Sequence, residues 1–497
     1  MKKILAGAVL LLLLAAVGMG CGGTRGETGE AAGEDVEYTK LVMAYPCSAA
    51  LTHDQRLVEE AINEITREKL GIEIEFKVME SQYSAKINLM LAGKEPLDII
   101  SANGSMYLEM YMKGYLHPLD GLLEQYGQGI IEEVGEETIH ACDINGVLYG
   151  LPNNRDYAAG WNAYMLRKDV LDKYRIDPGE LKDLEDLEEL YEFIQEREPD
   201  MVMVANRSGS MLSNLYFADG MYNFPSGVHM DYGRDEELTN IFESDLYYDA
   251  LKRVRRWYLK GFMGDEAIRE TRGIAERIQS GDLFSFQTIG KPGILQQEIL
   301  GCGRELVFVQ FGEDAISYNS IAAFPWVITE NTVSAEKSMQ LLNLLYTDPE
   351  IMNLLSYGIE GKHYIKTEDG FITFPEGMNV NIFIKNAWRM PNQFITHVWE
   401  GNPEDLWEKM REFNEKSIHA CDIGFNFDIS QVSTEYFALK SIYEKYKVIL
   451  ENGLVNPREG LDAMNRELKE NGIDEVIENK REQFLKWKET KKEYGDK

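Results

Sequence analysis

The sequence predicts an α/β fold with a helix-wrapped parallel sheet in front and a mostly helical rear. Three observations predict it. Strand and helix patterns alternate between residues 40 and 100, amphipathic helices dominate the later segments, and nothing repeats with a solenoid period. The 497 residues are 44% hydrophobic and include 26 Tyr, 20 Phe and 7 Trp, enough for the cores of two or three domains.

Order is expected to begin near Tyr38. Lys40 to Tyr45 (KLVMAY) reads as a buried strand. Asp54 to Leu70 carries Leu57, Ala61, Ile65 and Leu70 at near-helical spacing, and Gly71 stands where a helix C-terminus favours glycine. Ile72 to Val78 alternates apolar and polar residues as a strand does. Ser81 to Leu91 forms a second helix, and Pro96 to Ile100 a third short strand. Further on, Leu181 to Gln195 is an acidic amphipathic helix, and Tyr248 to Leu259 places apolar residues on one face. Ser334 can cap a helix containing Met339, Leu342 and Tyr346, and Asp348-Pro349 supplies the cap and first residue of the next. The rear helices run from Val432 to Leu450 before Gly453, from Leu461 to Asn471 before Gly472, and on to about Trp487.

The chain opens on Met1-Lys2-Lys3, an apolar run from Ile4 to Val17, and then Gly20-Cys21-Gly22-Gly23. This is a secretory leader, too short to span a bilayer comfortably. A cysteine directly after it predicts lipidation at Cys21. Gly18, Met19 and Gly20 precede that cysteine, where the bacterial lipoprotein motif has a large aliphatic residue and then two small ones. Ordinary cleavage near Ala16-Val17-Gly18 is the alternative. Residues 22–37, GGTRGETGEAAGEDVE, have almost nothing to bury and form a flexible tether.

The net charge of −33 opposes binding to a phosphate backbone or flat docking on anionic lipid, and suits a solvated surface and a neutral or cationic ligand without choosing between them. Beyond Cys21, the cysteines Cys47, Cys142, Cys302 and Cys421 are too few for a disulfide scaffold. The run His140-Ala141-Cys142-Asp143-Ile144 recurs as His419-Ala420-Cys421-Asp422-Ile423. Its residue types are metal ligands, but the spacing matches no common zinc pattern and no metal or cofactor is assigned. Gly-rich phosphate loops, His-Glu-x-x-His and Gly-x-Ser-x-Gly are missing from the sequence, so no catalytic residue is assigned either.

What stands out is aromatic and amide-rich punctuation. Asn153-Asn154-Arg155-Asp156-Tyr157 leads to Trp161, and later come Trp326, Glu360, Tyr364, Trp388 and Trp399. Flat aromatic faces beside Asn, Asp, Glu and Arg suit sugars: C–H faces pack on the ring while hydroxyls need fixed donors and acceptors. The plainer reading of each tryptophan alone is a half-buried core residue.

Several motifs together resemble the extracellular solute-binding proteins of carbohydrate ABC importers in Gram-positive bacteria. The early ones are Leu91-Ala92-Gly93-Lys94-Glu95-Pro96-Leu97-Asp98-Ile99, Gly114-Tyr115-Leu116-His117-Pro118-Leu119-Asp120, and Gly146 to Pro152 followed by Tyr164 to Asp169. The later ones are more specific: Leu344 to Glu350 with Tyr357 to Tyr364, then Gly424-Phe425-Asn426-Phe427-Asp428 and Gly472-Ile473-Asp474 through Gln483 to Trp487. These are similar to a lipoprotein subgroup with an added C-terminal domain of unassigned role.

The resemblance implies a type II periplasmic-binding-protein-like fold, with two α/β lobes, hinge-crossing segments and a helical C-terminal extension. The expected division is 1–20 leader, 21–37 tether, 38–154 with 317–365 the first lobe, 155–316 with 366–423 a second, helix-rich lobe, and 424–497 a helical domain packed on the lobes. It further implies a monomer lipid-anchored on the outer face of the cytoplasmic membrane, binding an oligosaccharide and delivering it to permease subunits, without nucleic-acid partners. A binding protein for a non-sugar solute such as a peptide, and a secreted glycoside hydrolase or lyase, are the alternatives.

Overall fold

The computed structural model describes residues 37–47, 54–79, 81–206, 209–213, 225–264, 272–378 and 387–495. The expected leader, Cys21 and the tether up to residue 36 lie outside them. Ten strands build two sheets. In chain order they are β1 (Thr39–Pro46), β2 (Ile72–Met79), β3 (Ile99–Ser101), β4 (Ala159–Arg167), β5 (Val202–Ala205), β6 (Leu283–Gly290), β7 (Leu306–Gln310), β8 (Asp314–Ile316), β9 (Trp326–Ile328) and β10 (Ile418–His419).

The first sheet has the order β9-β3-β1-β2. β1 runs parallel to both neighbours, while β9 returns antiparallel beside β3, with Trp326 opposite Ser101. β1 is buried on both faces: Leu41, Met43 and Tyr45 enter one core with Trp326 and Tyr346, and Val42 and Ala44 enter another with Ile100 and Tyr107. Asp98, just before β3, ties this lobe together. Its carboxylate accepts from the Val42 amide at 2.6 Å and from the Val333 amide at 2.7 Å. The caps expected at Ser334 and Asp348 form, Asp348 accepting from the amides of Glu350 and Ile351.

The second sheet centres on β4. Its order is β10-β8-β4-β6-β5, and β7 also pairs with β4. The helical patterns of residues 155–316 did not reveal these strands. Leu283 to Gly290 is buried at nearly every position, its polar Ser285, Gln287 and Thr288 included, while the apolar Ile289 is exposed, so residue polarity there does not report burial. The segment 366–423 serves both lobes, since Met390 joins the core of the first sheet and β10 extends the second.

The C-terminal helices Ser433–Glu451, Pro457–Glu470 and Ile473–Gly495 are fused to the second lobe. Leu439, Leu450, Leu461, Met464, Leu468 and Val476 share one core with Tyr164, Trp257 and Phe284. At the joint, the buried Glu451 carboxylate accepts from the Tyr247 and Tyr443 hydroxyls, each at 2.9 Å, and from Ser210. Gly453 turns the chain with φ +70°, where a Cβ would meet the Val254 carbonyl at 2.7 Å.

Candidate functional site

Ligands of open α/β sheets bind outside the carboxyl ends of the strands. Tyr45 and Cys47 mark that edge of the first sheet. In the second, β6 ends at Gly290 opposite Gly160, near where β4 begins, and is followed by Lys291. The segments that link the sheets run side by side between these edges. Leu151 and Trp326 exchange backbone hydrogen bonds at 2.8 Å. Asn154 donates to Pro391 at 2.7 Å and accepts from Gln393 at 2.9 Å, so the first and last crossings pair like strands.

Residues 153–157 occupy this stitched crossing. Asn153 is fully buried and its amide donates to the Trp388 carbonyl at 2.5 Å. Arg155 donates to the carbonyls of Asp156 at 2.7 Å and Ser320 at 2.9 Å, and its guanidinium lies 5.9 Å from the Trp388 ring. Asp156 forms an ion pair with Lys291 at 3.0 Å. Asn414 reaches in from the helix Leu406–Lys416: its Oδ1 accepts from the Tyr157 and Ala158 amides and its Nδ2 donates to the Arg155 carbonyl.

Four buried polar atoms of this short run have no hydrogen-bond partner among the described residues: Asn153 Oδ1, Arg155 Nε, Asp156 Oδ1 and Tyr157 OH. A buried polar atom left unpaired is costly, so this cluster is one that an ordered water or another polar molecule would satisfy. Burial also pushes the Tyr157 hydroxyl well above its ordinary pKa, which keeps it neutral and able to donate or accept.

Trp388 is the aromatic residue beside this run. It is half-buried, packs edge-on against Phe324 at 4.9 Å between centroids, and lies under the Arg389 guanidinium at 4.7 Å. Arg389 also covers Phe324 at 4.6 Å. Desolvation lowers the Arg389 pKa, and the like charge of Arg155 adds to the effect. The half-buried Trp161 lies at the start of β4, where its amide donates to the Glu313 carbonyl and Asn162 takes a φ of +52°.

The other expected residues lie elsewhere. Trp326 is wholly buried in the first lobe, and its indole N–H donates to the Arg389 carbonyl. Tyr364 and Trp399 belong to a separate small core with Tyr357 and Ile372. Glu360 sits beside Tyr364 and pairs with Lys366 at 2.8 Å. A depression of about 570 Å³ on the second lobe, between β7 and the helix Ile294–Cys302, shares only Lys291 with the crossing.

Sequence reasoning did not single out Lys291, Phe324, Arg389 or Asn414. Lys291-Pro292-Gly293 is a turn signal closing the segment Leu283 to Gly290, and Arg389 adjoins Trp388. Asn414 gave none, being one polar residue in a charged helix. The duplicated His-Ala-Cys-Asp-Ile runs do approach one another. Ala141 and Ile423 share a small core, and Asn426 donates to the Asp143 carbonyl at 3.3 Å. His140 pairs with Asp143, and no cluster of three or more potential metal ligands forms among the described residues. No disulfide is formed among the described cysteines.

Residues 423–489 match a domain of unknown function, DUF3502. The chain is 23% identical over 499 residues to a carbohydrate ABC transporter substrate-binding protein of Streptococcus pneumoniae, covering 98% of this chain and 99% of that one. It is 24% identical over 401 residues to the polygalacturonan/rhamnogalacturonan-binding protein YtcQ of Bacillus subtilis, covering 74% and 75%. Among solved structures it is similar to the N-glycan transport solute binding protein NgtS of Streptococcus pneumoniae, with a TM-score of 0.80, 20% identity, and coverage of 91% and 100%. NgtS has also been solved with Man1GlcNAc, and that complex superposes with a TM-score of 0.76 at 20% identity, covering 90% and 98%. The chain has the two-lobed fold of solute-binding proteins.

Proposed function

We propose that this chain is the extracytoplasmic substrate-binding component of an ABC importer, holding an oligosaccharide between its two lobes. The observation that carries this reading is the run Asn153–Tyr157, whose unpaired buried polar atoms lie on the crossing beside the Trp388 ring. That is the combination a pyranose needs: a face to stack on and fixed partners for its hydroxyls. The full-length likeness to a substrate-binding protein supports it.

Closure follows from the same geometry. A ligand that touches both lobes only when they meet shifts the population toward the closed form by its differential affinity. The permease subunits then receive the closed form. In this reading Cys21 carries the lipid that holds a monomeric receptor on the outer face of a Gram-positive membrane, and 22–37 is its tether. Residues 38–154 with 317–365 form its first lobe and 155–316 its second, 366–423 contributes to both, and 424–497 is its extension.

Isothermal titration of the mature chain against a panel of plant and host oligosaccharides tests the reading. Micromolar or tighter binding without cleavage is expected. A chain that binds peptides but no glycan, or that releases new reducing ends, overturns it.

A further inference from the structure

We infer that the glycan held at this crossing is acidic, carrying a carboxylate that Arg389 engages; this rests on the oligosaccharide reading above. Arg389 lies across the rings of Phe324 and Trp388 at 4.6 and 4.7 Å, and Arg155 approaches the same Trp388 ring at 5.9 Å. Two cations therefore converge on one indole. The nearby carboxylate, Asp156, is already neutralised by Lys291 at 3.0 Å. Among the described residues no carboxylate pairs with Arg389 or Arg155: Arg155 spends its terminal nitrogens on two carbonyls and leaves its buried Nε unpaired.

The site thus holds two uncompensated positive charges inside a chain whose net charge is −33. A half-desolvated guanidinium is destabilised until an anion meets it, and burial and Arg155 both depress the Arg389 pKa. The guanidinium carbon lies over both rings, and no carboxylate among the described residues meets its N–H groups. A hexuronate or sialate carboxylate suits such a guanidinium as a bidentate partner, with the pyranose ring that carries it beside the indole. A neutral sugar supplies the stacking and leaves both charges unanswered.

The test is a glycan array of uronate- and sialate-bearing oligosaccharides, each beside its carboxyl-reduced form, probed with the mature chain and followed by titration calorimetry. Reduction turns each carboxylate into a hydroxymethyl group and leaves ring and linkage unchanged. The acidic member of a pair is expected to bind at least about tenfold more tightly, with a preference that shrinks as salt rises. Arg389→Gln is expected to reduce that preference to about threefold or less, while Arg389→Lys retains part of it. Equal affinity within every pair, or binding of neutral glycans alone, overturns the acidic-ligand inference and leaves the sugar-receptor reading standing. Absence of binding to any glycan, acidic or neutral, overturns both.

Discussion

The Lys291 ammonium lies 3.0 Å from the Asp156 carboxylate, and only 12% and 6% of the two side chains remain exposed. One residue follows the central strands of the second lobe and the other sits on the crossing, so the pair links lobe to hinge. Removing one partner leaves the other buried and uncompensated. Asp156→Ala is therefore expected to cost about 3 kcal/mol of stability, measured by urea unfolding. The double variant Asp156→Ala with Lys291→Met is expected to recover much of that loss.

The tryptophans divide by role. Trp388→Ala is expected to leave the unfolding midpoint nearly unchanged and to weaken glycan binding tenfold or more, about 1.4 kcal/mol or above. Trp326→Ala empties a wholly buried site and is expected to cost about 3–5 kcal/mol of stability. Calorimetry and urea denaturation on both variants check the contrast.

The C-terminal helices share a core with the second lobe, so they are expected to unfold with it. Met464→Ala and Leu468→Ala remove fully buried side chains and are each expected to cost about 2–5 kcal/mol. Unfolding followed by intrinsic fluorescence and by circular dichroism is expected to give coincident transitions. A separate early transition of the C-terminal helices would contradict the shared core.

Glu451 makes stability depend on pH. Burial raises its folded pKa above the ordinary value of 4.5, in spite of the Ser210, Tyr247 and Tyr443 hydroxyls and the Lys447 charge that oppose the shift. The folded state then holds a proton that the unfolded state releases. The stabilisation is complete below pH 4.5 and is lost as pH rises toward the folded pKa. Glu451→Gln is expected to flatten this decline, making the variant relatively more stable near pH 8 than near pH 4. Urea midpoints across that range measure it.

Local order was legible where one face of an element meets water. Asp54–Leu70 runs over the span its apolar spacing and Gly71 indicated, and the caps at Ser334 and Asp348 are local hydrogen bonds that short stretches specify. β6 escaped notice because both of its faces are buried. The helix Pro457–Glu470 begins earlier than its apolar residues suggested, at an Asn456 cap followed by proline.

The candidate site was legible in part. Asn153 to Tyr157 and Trp388 meet at the crossing, but nothing local distinguishes Trp388 from Trp326 or Trp399. All three adjoin proline, arginine or acidic residues in sequence, and only packing decides which ring is buried. Arg389 becomes informative only when Arg155, 234 positions earlier, approaches the same ring.

The sequence by itself determined the alternating sheet of the front, the helical rear and the polar run of the first crossing, because each is written in neighbouring residues through periodicity, caps and turn chemistry. The tertiary structure alone decided the second sheet, the fusion of the rear helices to it, and the meeting of two arginines over one indole. Those depend on contacts between residues far apart in the chain, and burial and charge pairing exist only once such contacts form.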